Sequence, residues 1–278
     1  KVTLDAGFSC PNRDGKVSTR GCIFCDDSGS FSRAQNKEWE IRQQLEVGMQ
    51  KLSQRFKAKK FISYFQAYSN TYKNVDDLKP IYDQAVGIKD VVGLSIATRP
   101  DCVSKEKLEL IQSYTKDHYV WLEYGLQTIH DKTLKIINRG HFSKDFYEAY
   151  DLTRTYAPNV HMCAHVILGL PGETKEDMMQ TAKKLTSLKV DGVKIHLLCV
   201  LKETDLEQIY LNGDFQPLEQ NDYVQVVCDF LEHLSPKITL HRMAGNGLKS
   251  ILVAPRWLSK KFEVTEQIEA ELEKRQSY

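Results

Sequence analysis

Short runs rich in β-branched, aromatic and aliphatic residues alternate with stretches in which apolar residues recur every three or four positions. The runs at 2–5, 61–65, 91–97, 119–124, 160–168 and 192–198 read as strands. The stretch from about 38 to 55 carries Ile41, Leu45, Met49 and Leu52 on one face, and it reads as a helix. Helices are also predicted at 76–85, at 105–114 behind a capping Ser104, at 134–137, at 146–155, and at 174–188 starting from Thr174. Near-continuous apolar strands joined by helices, about six times over, argue for a parallel sheet buried on both faces. Beyond Lys202 the order breaks into helices near 206–211 and 222–234, a short strand at 238–241 and a charged helix at 265–274.

Composition changes this picture little. The 278 residues carry a formal net charge of +1, so any affinity for nucleic acid has to come from a local patch. The sequence has no apolar run of about 18 residues, which argues against a membrane span. The chain opens directly on a strand with Lys1, so a leading segment is expected before it. Seven cysteines are an odd count, and Cys102, Cys163, Cys199 and Cys228 sit isolated in apolar or helical patterns, as small buried hydrophobes do. That distribution is no disulfide framework and points to a reducing, cytoplasmic setting.

The other three cysteines change the picture most. Cys10, Cys22 and Cys25 share a loop rich in Gly, Asp and Asn that follows the first strand, and in parallel α/β folds active sites lie at that edge, the C-terminal ends of the strands. Three thiolates can ligate a soft metal centre, and Cys22-x-x-Cys25 offers two ligands from one tight turn. A closed structural zinc needs four protein ligands, and the sequence offers no further Cys or His nearby. A 4Fe-4S cluster on three cysteines keeps one iron open for a small molecule.

The trio with its aromatic at Phe24 is followed in order by Ala97-Thr-Arg-Pro-Asp101, Glu123-Tyr-Gly-Leu-Gln127, Asn138-Arg-Gly-His141 and Gly169-Leu-Pro-Gly-Glu173. With these motifs the whole chain resembles the radical S-adenosylmethionine (SAM) enzymes. Within them it looks like the YhcC/YtqA-type family, related to the catalytic radical SAM domain of the elongator complex. The resemblance implies a partial (β/α)6 TIM-like barrel over 1–200, with a C-terminal helical and short-strand extension over 201–278. It implies a 4Fe-4S cluster on Cys10, Cys22 and Cys25, SAM on the open iron, and cleavage by one electron to a 5'-deoxyadenosyl radical that takes hydrogen from a substrate. An electron donor such as flavodoxin or ferredoxin is implied as partner.

The SAM contacts implied are Phe24, Gln66, Tyr68, Thr98, Gln127, Arg139, Ile167, Gly169 and Leu198. Gln66 and Tyr68 match the segment that meets the SAM amino group, and Gly169 belongs to the fifth-strand motif along the adenine. Elongator-like relatives carry a ribose-binding Glu where this chain has Ala97, so Glu123, read at the end of strand four, is the candidate replacement. A carboxylate in that apolar strand needs a hydrogen-bonding partner, either a ligand or an arginine, and Arg99 or Arg139 could be that arginine, in a purely structural ion pair as well.

Lys194, His196 and the pair His241-Arg242 fall near later strand ends and could face substrate. Basic segments at 55–60 and 256–261, the second with Trp257 and Phe262 interleaved, could contact phosphates and stack on bases. Kinship to the elongator enzymes implies tRNA, and radical remodelling of the C5 side chain of a wobble uridine. A small metabolite or a peptide as substrate, and a non-catalytic metal-binding protein that binds RNA, stay open beside it.

Overall fold

The computed structural model describes residues 1–26, 29, 39–245 and 250–277, without the side chain of Lys261. The polar stretch 28–32, apart from Gly29, and the start of the first helix at residue 38 lie outside the described residues. In chain order the elements are β1 (Val2–Leu4), α1 (Ile41–Phe56), β2 (Phe61–Phe65), α2 (Val75–Val86), β3 (Val91–Thr98), α3 (Lys105–Ser113) and β4 (Tyr119–Gln127). There follow α4 (Asp131–Ile136), α5 (Ser143–Tyr156), β5 (His161–Leu168), α6 (Lys175–Leu188), β6 (Gly192–Leu197) and β7 (Val200–Leu201). The chain ends with α7 (Asp205–Leu211), α8 (Gln220–Glu232), β8 (Thr239–Arg242), β9 (Leu252–Ala254) and α9 (Lys261–Arg275).

The backbone divides into two compact units. The first comprises Lys1–Thr19, Ser28–Gly125 and Lys144–Met162, and the second Arg20–Asp27, Leu126–Ser143 and Cys163–Tyr278. In the first unit β1, β2, β3 and β4 pair in chain order, all parallel. Alternate residues of each strand turn to the helices. Phe65 meets Tyr82 of α2 at 5.5 Å between ring centroids, and Tyr124 meets Phe146 of α5 edge-on at 6.1 Å. Pro80 lies inside α2 on its exposed side, where the buried face of Leu78, Tyr82 and Ala85 keeps the helix in place despite the lost N–H.

In the second unit β6 pairs in parallel with β5 on one side and β8 on the other. The strand near 238–241 therefore joins the parallel set. Thr174 begins α6 with a capping box: its hydroxyl accepts from the Asp177 N–H and the Asp177 carboxylate accepts from the Thr174 N–H at 2.8 Å. At Ser104 the expected cap is not made, because that hydroxyl donates to Glu106 at 2.8 Å instead. The two-stranded antiparallel pair β7 and β9, Val200 opposite Ala254, is too short to leave a period in the sequence.

Candidate active site

In the first unit the turn after β2 is built against its own preferences. Ala67 (φ 123°) and Tyr68 (φ 57°) both have positive φ without being glycine, which costs about 1–3 kcal/mol each. Buried hydrogen bonds hold them there. The Asn70 side-chain amide donates to the carbonyls of Ala67 (2.9 Å) and Ala97 (2.8 Å), and the Asn70 N–H also donates to Ala97 (3.1 Å). Thr71 Oγ1 bonds Thr98 Oγ1 at 2.7 Å and donates to the Cys102 carbonyl, while the Tyr82 hydroxyl donates to the Asn70 carbonyl. The ends of β2 and β3 are thus tied into one polar lattice that carries Gln66, Tyr68 and Thr98.

That lattice reaches the first cysteine. The Ser69 N–H donates to the carbonyl of Ser9, next to Cys10, and the Cys10 carbonyl accepts from the N–H groups of Arg13 and Asp14. Gly29 completes this corner. A Cβ there would lie 3.0 Å from the Tyr68 ring, and its φ of +74° also favours glycine.

Glu123 lies within β4, not at its end, because the strand continues to Gln127. It is fully buried, and its Oε1 accepts from Lys1 Nζ at 2.5 Å and from the Ser95 hydroxyl at 2.5 Å. A cation that answers this carboxylate is Lys1, which also stands over the Tyr64 ring. Of the two arginines expected there, Arg99 is buried and forks onto Asp101 at 2.8 Å.

In the second unit the Cys22–Cys25 turn is fixed by backbone. The Cys25 N–H donates to the Cys22 carbonyl at 3.0 Å, the Ile23 N–H donates to the Ile137 carbonyl at 3.1 Å, and the Ile23 carbonyl accepts from Leu206 at 2.9 Å. Asn138, at φ 49°, donates from its side chain to the Gly21 carbonyl at 2.6 Å. Buried Arg139 aims Nη1 at Cys22 Sγ, 3.5 Å away. Ile23, Ile167 and Leu198 belong to one apolar cluster with Leu134, Ile137 and Leu206, and Phe24 packs on it. Three of the residues expected to touch SAM, Phe24, Ile167 and Leu198, thus form one wall with the cysteine turn. Gln127 closes β4 at φ 74°.

After β5, Gly169 takes φ +79°, and a Cβ there would come within 3.1 Å of Leu218. The loop Gly169–Glu173 lines a cavity of about 260 Å³ with Met178 and the segment 214–218. Burial raises the Glu173 carboxyl pKa, opposed by the hydroxyls of Thr128 and Thr133, and its Oε1 has no hydrogen-bond partner among the described residues.

Thiols are the donors a 4Fe-4S cluster takes, and a guanidinium N–H directed at sulfur suits a thiolate ligand, so within the second unit Cys22, Cys25 and Arg139 have the chemistry such a group calls for. Sequence reasoning missed the residues that do the holding. The sequence placed Gln66 and Tyr68 in the segment that meets the SAM amino group, and it assigned no holding role to Asn70, Thr71, Ile23, Ile137 or Leu206. The signal available was the polar run Ser69-Asn70-Thr71 four residues past an aromatic strand.

The model of the radical SAM superfamily matches residues 15–185 and that of the radical SAM C-terminal domain residues 190–274. The chain is 41% identical to the uncharacterized protein YtqA of Bacillus subtilis over 278 residues, 100% of this chain and 86% of that protein. A tRNA uridine(34) acetyltransferase of Dehalococcoides mccartyi is 28% identical over 155 residues, 55% of this chain and 33% of its own length. Among solved structures, the archaeal Elp3 of Methanocaldococcus infernus superimposes with a TM-score of 0.75 at 16% identity, over 100% of this chain and 63% of that chain. That likeness is one of fold.

Proposed function

The chain belongs to the radical SAM superfamily, whose enzymes use a 4Fe-4S cluster and SAM, and from that premise we propose that Cys10, Cys22 and Cys25 hold its cluster. The observation that carries this reading is the Arg139 guanidinium aimed at the Cys22 sulfur beside a backbone-fixed Cys-x-x-Cys turn. When bound, the cluster supplies the electron that cleaves SAM to methionine and a 5'-deoxyadenosyl radical. The protein's part is orientation and exclusion of water. Gln66 and Tyr68, set by the Asn70 lattice, would meet the methionine end with Thr98 beside them, and Gln127 at the end of β4 is a further SAM contact by the same family resemblance. Phe24, Ile167, Gly169 and Leu198 offer an apolar seat for a flat ring; Glu123, the candidate for the ribose contact that Ala97 cannot make, lies fully buried inside β4 against Lys1 and Ser95, which does not support that role. Arg139 would serve the Cys22 sulfur as well as a SAM carboxylate.

The substrate read here is tRNA, at the C5 side chain of a wobble uridine. It is supported by the tRNA-modifying relative, with which this chain shares about half its length. The basic segment 55–60 ends α1 beside the exposed ring of Phe56, with Lys60 paired to Asp90 at 2.9 Å. In the second basic segment Trp257 stacks on Tyr223 and donates to the Leu218 carbonyl, so it anchors its own unit and Phe262 is the exposed aromatic. The Lys261 side chain lies outside what is described. Among the described residues no helix is long and apolar enough to cross a membrane.

Two experiments test this. Anaerobic reconstitution should give a brown protein that forms 5'-deoxyadenosine from SAM and dithionite; a colourless protein with stoichiometric zinc would overturn the cluster. Nucleoside mass spectrometry of tRNA from a deletion strain should show a missing or unfinished wobble uridine, and an unchanged profile would overturn the tRNA reading.

A further inference from the structure

The two segments that read as basic in the sequence are poorly placed or already engaged. In the first unit, residues 55–60 run from the end of α1 to the start of β2, at the amino ends of the strands, whereas the Cys10 loop follows β1 at their carboxyl ends. In the second unit Lys260 pairs with Glu263 at 3.2 Å and Trp257 is turned to Tyr223. The stretch 131–142, which no basic run marks, is instead tied directly to the Cys22–Cys25 turn of its own unit. The Ile137 carbonyl accepts from the Ile23 N–H, and the Asn138 side chain donates to the Gly21 carbonyl.

That stretch begins at the carboxyl end of β4, the edge where α/β enzymes bind their ligands. Leu134 and Ile137 turn into the apolar cluster beneath the cysteine turn, while Lys132, Lys135, Ile136 and Phe142 are exposed. Lys135 Nζ stands 5.6 Å from the centre of the Phe142 ring. The nearby acids have partners: Asp131 accepts from the Ser143 N–H at 2.8 Å, and the Thr174 N–H and hydroxyl hold the Asp177 carboxyl pKa down, with His130 and Lys132 adding to it at longer range. Ile136 borders the loop after β5, since a Cβ on Gly172 would lie 3.5 Å from its Cδ1. Gly172 in turn lines the hollow of about 260 Å³, together with buried Met178 and Phe215 and exposed Asp214 and Gln216. A lone exposed Ile is ordinary. Lysines and apolar side chains beside a hollow too small for a drug-sized ligand are the arrangement that single-stranded RNA meets: cations for the backbone, an apolar wall for an unstacked base and polar groups for its edge.

We propose that this hollow takes one unstacked base of the substrate RNA, with Lys132 and Lys135 on the flanking phosphates. A carboxylate and a side-chain amide suit a base edge that presents both N–H and C=O groups. That the RNA is a substrate rests on the tRNA reading above; the binding surface does not. Of the residues assigned to SAM only Gly169 borders the hollow, and none of those assigned to the cluster does.

The test is fluorescence anisotropy of the reconstituted holoprotein with an unmodified anticodon stem-loop RNA and with an RNA duplex of equal length, over a range of salt. The stem-loop should bind the tighter, and saturating SAM should leave it bound. Lys132→Gln and Lys135→Gln should each weaken stem-loop binding about threefold or more and cut the slope of log affinity against log salt by about 0.7. Lys59→Gln, in the segment 55–60, should leave both as in wild type. A 4-thiouridine in the loop should crosslink to the peptide spanning 214–218. Equal binding of duplex and stem-loop, displacement of the RNA by SAM, crosslinks only to residues outside the lining of the hollow, or wild-type affinity and slope in both lysine variants would each overturn the surface. A stem-loop that does not bind overturns the surface and the tRNA reading together. An unchanged nucleoside profile in the deletion strain, with stem-loop binding that Lys132 and Lys135 govern, overturns the tRNA reading alone.

Discussion

The two units hold their cysteines by different physics. Around Cys10 the first unit spends buried side-chain hydrogen bonds, with Asn70, Thr71, Thr98 and Tyr82 locking a turn that contains two non-glycine residues at positive φ. Around Cys22 and Cys25 the second unit uses backbone bonds to Ile137 and Leu206 and an apolar cluster beneath them. A polar lattice fixes direction, since each bond has an angle to satisfy. Apolar packing fixes position and tolerates small changes of shape. A turn that presents hydrogen-bonding groups to a polar ligand end calls for the first, and a seat for a flat ring calls for the second.

The largest effect that could break this contrast is at the metal. Cys22→Ala should lose the cluster iron and all deoxyadenosine formation, measured by iron and sulfide content and by chromatography of the products; retained SAM cleavage would remove Cys22 from the ligands. Next comes the lattice itself. Asn70→Ala takes the side-chain donor from the Ala67 carbonyl and one of two donors from the Ala97 carbonyl, and should cost about 2 kcal/mol in urea unfolding. Ile137→Val, in the apolar cluster, should cost about 1 kcal/mol. If the order of these two is reversed, the contrast between the units fails.

Smaller effects sharpen it. Arg139→Gln removes a cationic donor from the Cys22 sulfur and should shift the cluster's reduction potential to more negative values in an EPR-monitored titration. An unchanged potential would leave the guanidinium to SAM alone. Glu173 gives the slightest signal. Burial raises its pKa, so the folded chain keeps the proton to a higher pH than the unfolded chain does. Wild type should therefore lose stability relative to Glu173→Gln as pH rises from the ordinary glutamate range through the raised folded value, and the two should differ least in acid. Parallel pH profiles of unfolding would contradict the burial of that carboxyl.

Much of the fold was legible because it is written in local periods. The first four strands, α2, α5 and α6 follow from alternation and from apolar spacing, and the Thr174 capping box from residue type alone. Boundaries moved where a pattern ran on unnoticed, as in β4, whose three residues after Tyr124 carried Glu123 from strand end to strand interior. Pairs such as β7 with β9 are too short for any period. Lys1 as a partner of Glu123 could not be read either, because it is 122 positions away and only the pairing of β1, β2, β3 and β4 brings it there.

Residue chemistry and order along the chain determined the α/β class, the three cysteines with their aromatic, and the glycine-rich loop after β5, since each is a property of neighbours in sequence. The tertiary structure alone decided which carbonyls Asn70 holds and that Arg139 points at a sulfur. Those facts depend on strand register, and register is fixed by packing summed over a whole sheet face, which no short window of sequence contains.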